Sequence, residues 1–567
     1  MPQRFNGSWN ATYPDQNQYT GHVRIEVRQN AIHMITGDIF LNGVYDGWWE
    51  ASNVNLAGNR LTFQYSILST NGQTYGGSLD LTMQNANSIT GRYVDDNGGD
   101  QGRLNLSKIG NEYRQMTAEV DALSGIAWLP QVNHNGRTWD LRDIYTNAGI
   151  DLTVNNNDNN LTDPGTPLSD ADIHAIMVDE RVQGQGPPWW GYLLLATTST
   201  RGSLGVMFDQ QGNHREGAAV FFNAFANING VNNDQERDRA ILRTAAHELG
   251  HALNLLHPGV ADRGTNIMNQ TGVLQNLPNW PDNIDYTFRG INAEHLRHHR
   301  HPAVSFGGDN FGSDPHDIHG DNNSNLAHAV DKRIKVSLSS DQKVLQFAEP
   351  WYFRISVRNV STNEIKVDKR LELGAGRVLL SVRRPDGKTT VIHPSVIHDF
   401  AVDMQSLGHS ESITHDSVLL VDRSGPVFNQ PGTYQVQAAF SGVEKTPWCV
   451  AVSDVFEIRV LYPTRNEEMA LLKLEKYETR MFFELDGADH LLEHVKELKE
   501  ICATEDLEPL HSHLELVDAV RLSRPFHDVC GDSSREADES AGETMRKIRK
   551  RVGKNSQKSR FIRACEE

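Results

Sequence analysis

The amino-acid sequence predicts a multidomain α+β protein with an N-terminal β-barrel or sandwich, an α/β unit, a second β-sandwich and a C-terminal helical segment. Three observations predict it. The chain has 567 residues, far more than one hydrophobic core organises at ~100–200 residues per domain. The period of its apolar residues changes along the chain, first strand-like, then mixed, then strand-like again and finally helical. A Gly/Asn/Asp-rich stretch without apolar period, residues 306–330, reads as a linker between the second and third of these regions. The expected units are therefore 1–112, 113–305, 331–462 and 463–567.

Composition narrows the function. The net charge is -19, from 54 basic and 73 acidic residues, so the mean field repels polyanions and no nucleic-acid partner is expected. The longest apolar runs, such as Tyr192–Ala196, fall short of the ~20 residues of a spanning helix, so no membrane span is expected. Met1-Pro-Gln-Arg-Phe-Asn-Gly has no basic n-region followed by an apolar h-region, and no conventional secretory signal is read there. Unconventional export and an intracellular role both stay open. The four cysteines (Cys449, Cys502, Cys530, Cys565) leave the first 448 residues without a thiol for metal binding or nucleophilic attack.

Residues 1–112 alternate, as in Val23-Arg-Ile-Glu-Val and Leu79-Asp-Leu-Thr-Met, between Asn/Gly turns. Gln29-Asn-Ala with Ile35-Thr-Gly echoes Gln84-Asn-Ala with Ile89-Thr-Gly, a hairpin-level repeat. Gly7-Ser-Trp9 and the later Thr-Gly-Arg-Tyr resemble small ligand-binding barrels of the lipocalin and avidin type. Trp48-Trp49 could stack a sugar, giving a carbohydrate or protein ligand for the β modules, or could simply pack core and rim.

In residues 113–305, Trp139–Ala148 has helical spacing. Ile150-Asp-Leu-Thr-Val, Ile173–Val178, Tyr192–Thr197 and Ala218–Phe225 are read as strands. The clearest helix follows, with Asp234 as N-cap, Glu236 in the first turn, and Ile241, Leu242, Ala245, Leu249 and Leu253 at three- and four-residue steps. Strands return at Ile334-Lys-Val-Ser-Leu, Trp351–Val357, Val378–Val382, Tyr434–Ala438 and Val455–Val460. Their spacing, with the Pro431-Gly-Thr-Tyr434 approach, resembles an immunoglobulin-like sandwich. Beyond Pro463 the pattern is helical, and the charged tail Ser533–Glu567 is expected to be partly disordered.

Chemistry concentrates in His247-Glu248-Leu-Gly-His251-Ala-Leu-Asn254-Leu-Leu-His257. His247 and His251, four residues apart, lie on one helix face about 6 Å apart along the axis, where both imidazoles can reach one ion. Glu248 is about 100° around and can address a water beside that ion. Continued helix would carry His257 roughly 240° away, so the helix must stop. Asn254 is the natural break, because Asn tolerates the left-handed conformation best among non-glycine residues, and Pro258 discourages helix beyond it. His257 can then return as a third ligand, leaving an open position. That is the arrangement of catalytic zinc. Three histidines and one acid at this spacing are expected by chance only ~0.006 times in a chain of this composition.

The segment resembles the metzincin clan of zinc endopeptidases, whose signature is His-Glu-x-x-His-x-x-Gly-x-x-His, with Asn254 in place of the glycine. Thr265-Asn-Ile-Met268-Asn resembles the clan's methionine turn beneath the metal, against the alternative that Met268 is an ordinary core residue. The resemblance covers about 190 residues and is specific over His247–Met268. It implies one catalytic Zn2+ on His247, His251 and His257, and a metal-bound water activated by Glu248 against the carbonyl of a protein or peptide substrate. Gln270 stands where some members carry a tyrosine ligand, so no tyrosine switch is expected. The resemblance also implies a substrate-binding edge strand, best matched by Ala218–Phe225 with Ala219, Val220, Phe221, Phe222 and Asn223, and a closing helix at Ile291-Asn-Ala-Glu-His-Leu-Arg-His.

Other polar clusters are read as structural. His295, His298, His299 and His301 suit a helix C-terminus. Asn155–Asn160 with Asp163 could hold Ca2+ but lacks a twelve-residue calcium loop with its final Glu. His511, His513, His527 and Cys530 fit no metal spacing. Two rivals to the peptidase stand: a zinc hydrolase of non-peptide amides, and a catalytically silent scaffold acting as an adhesin or carbohydrate-binding protein.

Overall fold

Alternation closes the first 110 residues into a barrel. In a computed structural model, which describes residues 2–566 except 71, 157, 182–188, 211–212, 258–264, 310–330, 393, 445–449, 504–506, 530, 532–533 and 554–555, eight antiparallel strands, β1–β8, run between Gly7 and Gly110 and pair in sequence order until β8 meets β1. Every second residue points inward, so Trp9, Ile25, Ile35, Trp49, Phe63 and Leu81 fill an interior of their own. The chain is multidomain, β-rich and α+β.

Consecutive residues of a strand face opposite sides, and that decides the Trp48-Trp49 pair. Trp49 is buried in the barrel, stacked on Phe63 with ring centres 5.8 Å apart. Trp48 points outward and donates from its indole to the His298 carbonyl at 2.9 Å. The two rings therefore lie on opposite faces of the strand and do not form one surface. The same outer face buries Arg24 against Asp38 at 2.5 Å, and Glu26 against Arg297 and His298. The barrel therefore docks on the next unit through paired polar groups.

That unit opens with β9 (Arg114–Ala122), the hairpin β10 (Val132–His134) and β11 (Arg137–Trp139), α1 (Leu141–Asn147), β12 (Ile150–Asn156) and α2 (Asp170–Glu180). It continues with β13 (Trp190–Ala196), β14 (Gly205–Gln210), β15 (Asn213–Phe221), a 3-10 turn at Phe222–Asn227 and α3 (Asp234–Ala252). Short helices α4 (Thr271–Leu274), α5 (Gly290–His298) and α6 (His301–Val304) close it.

Two expectations need correction here. Ile173–Val178 is helical, because Ser169 and Asp172 form a reciprocal capping box that starts α2; a short apolar run buried all round has no decisive period. The run Ala219, Val220, Phe221, Phe222 and Asn223 is no edge strand. β15 lies inside the sheet β12-β9-β13-β15-β14, parallel to β13 and antiparallel to β14, and Phe222 and Asn223 belong to the 3-10 turn. Its continuous hydrophobicity is that of a strand buried on both faces.

The third unit comprises β16 (Ile334–Ser339), β17 (Val344–Leu345), β18 (Trp351–Asn359), β19 (Ile365–Asp368), β20 (Val378–Arg383), β21 (Thr389–Val391) and β22 (Ile397–Asp399). After these come β23 (Met404–Leu407), β24 (Ser412–Leu419), β25 (Val421–Asp422), β26 (Gly425–Pro426), β27 (Gly432–Phe440), β28 (Ala451–Val452) and β29 (Phe456–Val460). Its main sheets are β16-β18-β24 and β17-β29-β27-β20-β21. β22 leaves both and adds to the outer edge of β14 in the preceding unit.

Helices α7 (Arg465–Leu474), α8 (Tyr477–Glu484), α9 (Leu492–Cys502), α10 (Glu508–Leu522), α11 (Ala541–Arg551) and α12 (Gln557–Glu566) finish the chain. The tail expected to be partly disordered is largely helical in its described residues. Met545 and Ile548 share one face of α11 and pack with Ile562 of α12 against Leu516, Ala519 and Val520 of α10. Dense charge on the outer faces hides this stripe from a composition argument.

One apolar interior spans the last three parts. The sheet residues Leu194, Val206, Phe208 and Phe221 belong to the same buried cluster as Val336, Trp351 and Val436 of the third unit and Phe482 and Leu498 of the helices. The other face of that sheet, with Leu193, Leu195, Met207, Ala218 and Val220, packs on α3. This second face carries the site. The linker residues 310–330 lie outside the described residues.

Candidate metal centre

α3 starts at Asn233, whose side chain accepts from the Glu236 amide at 3.0 Å; Asp234, the expected N-cap, is the first helical residue. The helix ends where expected. Asn254 has a φ of 66°, its amide donates to His251 O at 2.8 Å, and the Leu255 amide donates to Gly250 O at 3.0 Å. This paired closure of the last carbonyls around a left-handed residue is a Schellman motif, and it turns the chain so that His257 comes back to the helix. Pro258 lies outside the described residues.

The three imidazoles converge. Nε2 atoms of His247 and His251 are 3.0 Å apart, those of His251 and His257 3.0 Å, and those of His247 and His257 3.2 Å. His247 Nδ1 lies 2.8 Å from Ile267 O and His251 Nδ1 2.7 Å from Leu255 O. His251 must donate through Nδ1, which leaves its Nε2 a bare acceptor, and His247 has the same free Nε2 in the tautomer that donates to Ile267 O. Two such acceptors 3.0 Å apart repel unless a cation, or a proton carried by His257, lies between them. Zinc–nitrogen bonds of about 2.0–2.1 Å in a tetrahedron set neighbouring donors roughly 3.3 Å apart, so the cluster fits such an ion with little adjustment. Burial lowers His251 to about 3 and puts His247 and His257 well below the usual histidine range. All three are neutral, as ligands require.

His257 carries a condition. Arg377 donates to Gln270 Oε1, so the Gln270 amide nitrogen faces His257 Nδ1 at 3.2 Å and donates to it. In that arrangement the ring proton sits on Nε2. Metal binding through Nε2 requires the amide to turn over, so that its oxygen receives the Nδ1 proton.

Glu248 is fully buried, and neither carboxylate oxygen has a hydrogen-bond partner among the described residues. Burial, and then the nearby Asp399, push it well above the usual carboxylate range. It lies against Gly205 of β14, where a Cβ would come within 2.6 Å of Glu248 Oε1, so only glycine leaves it room. Met268 is buried beneath α3; a Cβ on Gly250 would meet its sulfur at 2.5 Å. This supports the floor of the site, one residue before His251.

Two charged residues from outside the motif, Arg243 and Asp399, complete the environment. Arg243, one turn before His247, lies 3.1 Å from its Nδ1 and donates to Ile267 O at 2.9 Å. Asp399 of β22 pairs with Arg243 at 2.9 Å and receives the Thr271 amide at 2.9 Å. His247, Glu248 and Asp399 form a second group whose potential ligand atoms lie within 4.8 Å of one another. The helical spacing of Arg243 to His247 was available as a signal. Asp399, Gly205 and Gln270 had none, since only tertiary folding brings them in.

Members of the remaining clusters make contacts elsewhere in the fold. His298 bonds Glu26 and Thr36 of the barrel. Asp158 accepts from the Asn160 amide in a local turn, and Asn157 lies outside the described residues. His513 pairs with the Tyr352 hydroxyl and His527 with Thr166, so they do not gather; Cys530 also lies outside the described residues.

No protein-family model and no curated protein matches the chain. Among solved structures, a redesigned β-barrel is 13% identical with a TM-score of 0.16, covering 19% of this chain and 95% of its own. The CARDB domain of the PF1109 protein of Pyrococcus furiosus is 14% identical with a TM-score of 0.13, covering 24% and 96%. The sporulation control protein Spo0M of Bacillus subtilis is 12% identical with a TM-score of 0.17, covering 26% and 56%. Likenesses this slight carry no argument about fold or function, and the reading of this chain rests on its own residues.

Proposed function

We propose that the chain is a zinc-dependent endopeptidase with a metzincin-like catalytic unit between the barrel and an immunoglobulin-like sandwich. The observation that carries the reading is the convergence of three neutral imidazole Nε2 atoms beside a buried carboxylate that has no hydrogen-bond partner among the described residues. The sandwich assignment is supported by Tyr434, whose hydroxyl donates back to Gln430 O at 3.1 Å.

His247, His251 and His257 would hold the ion, which when bound supplies Lewis acidity for polarising a carbonyl and acidifying water. Ile267 O and Leu255 O fix the orientation of two of the rings. In the loaded site the added positive charge favours the Glu248 carboxylate over its protonated form. Glu248 then takes a proton from the attacking water as the water oxygen bonds to the scissile carbonyl carbon, and returns it to the leaving amine nitrogen as the C–N bond breaks.

A second reading, a metal-holding scaffold without turnover, is favoured by one observation: Glu248 is sealed from solvent. One experiment separates the two. An unfolded protein is incubated with wild type, Glu248→Gln and chelated wild type, new termini are counted by mass spectrometry, and zinc content is measured in parallel. The peptidase reading expects stoichiometric zinc in both proteins, cleavage by untreated wild type, and a ~10²–10⁴-fold loss in Glu248→Gln. Bound zinc with no new termini under any condition would support the scaffold.

A further inference from the structure

A sheet edge beside a catalytic group is where an extended peptide can be held, by adding a strand. Here that edge is β14, and the chain's own β22 lies on it. Gly205 stands opposite Asp399, Val206 opposite His398 and Met207 opposite Ile397 in antiparallel register, and the Leu204 amide donates to Asp399 O at 2.7 Å. Gly205 is also the residue against which Glu248 lies. A stretch of the third unit thus passes the candidate base in extended form.

Within the stretch Ser395 O accepts from Arg423 at 2.7 Å, the Ser395 amide donates to Glu484, and His398 Nε2 lies 3.4 Å from Asp170. The Asp399 side chain is the anchor on the histidine helix. It accepts from Arg243 Nη1 at 2.9 Å, from the Thr271 amide at 2.9 Å and from the Thr271 hydroxyl. Arg243 and Asp399 are 0% and 1% exposed in their side chains. A buried guanidinium left without its counterion is strongly unfavourable, so whatever occupies this edge must bring a carboxylate to Arg243. A strand of three residues can peel from an edge far more readily than the third unit can leave the interior it shares with the sheet.

We propose that residues 395–400 are a tethered occupant of the peptide-binding edge that holds the centre closed, and that the opened edge takes an extended peptide with Asp or Glu at the place of Asp399. The proposal rests on the peptidase reading. It gives that reading a substrate class, an acidic peptide, and a built-in latency.

The test uses the full-length, zinc-loaded protein. Asp399→Asn weakens the anchor, and the pair Val206→Cys with His398→Cys, confirmed by intact mass after oxidation, pins the strand. Cleavage of an unfolded protein should rise at least ~10-fold in Asp399→Asn at unchanged zinc content. It should fall at least ~10-fold in the oxidised pair and recover with reductant, and the new termini should cluster beside Asp and Glu. Wild-type rates in both proteins would overturn the proposal; if Asp399→Asn fails to fold, the cross-linked pair decides alone. If zinc is bound but nothing cleaves, the peptidase reading has failed, and the affinity of an aspartyl-peptide hydroxamate decides the occupancy. Binding at least ~10-fold tighter to the reduced than to the oxidised pair supports a displaceable strand, and equal binding overturns it.

Discussion

At the scale of single residues, the centre depends on one backbone conformation. Asn254 has to hold a φ of 66° for His257 to return, and a left-handed conformation costs an ordinary L-residue roughly 1–2 kcal/mol. Asn254→Ala should therefore lower stability by about 1 kcal/mol and weaken zinc binding, whereas Asn254→Gly should preserve both; chemical denaturation and zinc titration check this. The motif was legible in the sequence because its parts are local, with His247 to Met268 spanning one helix, one break and one turn. Gly205, Gln270 and Asp399 were not. A glycine is informative only when the carboxylate it must admit is known, and Asp399 lies 156 residues from the Arg243 it neutralises.

Among the elements, legibility followed the clarity of the period. The barrel strands alternate between an apolar interior and a polar exterior and could be read directly, as could α3 with its one-sided stripe. The apolar runs of β15 and α2 are buried on every side, so spacing alone assigned neither the position of the one nor the type of the other. In α11 and α12 the opposite condition held, since charge outnumbers the few buried residues. Ile562 is fully buried there, so Ile562→Ala should destabilise the protein by ~2–4 kcal/mol, with Lys547→Ala on the exposed face within about 0.5 kcal/mol of wild type. Urea unfolding of the two variants checks both; equal midpoints would mean that the last helices contribute nothing to the fold.

For the whole molecule, pH acts through Glu484, which joins the helical segment to residue 395. Burial pushes Glu484 up to about 7 against the bonds from Ser395, and Asp422 adds to the rise while Arg423 opposes it. The folded chain thus holds this proton more tightly than the unfolded chain. Its stabilising contribution is complete below the ordinary Glu value and is lost as pH rises through 7, by roughly 3 kcal/mol at most. Glu484→Gln should melt higher than wild type at pH 8 and no higher at pH 5, as differential scanning fluorimetry can show; the same offset at both pH values would refute the linkage. The buried interiors have a separate consequence. The barrel keeps its own, closed and complete, whereas the sheet behind the histidines, the third unit and the last helices have one in common. A gene cut near codon 112 yields two fragments that each retain a finished interior, and a cut between codons 310 and 330 opens one along its length. Recombination can therefore trade the barrel as a cassette, but the histidine centre has to be inherited together with everything that follows it.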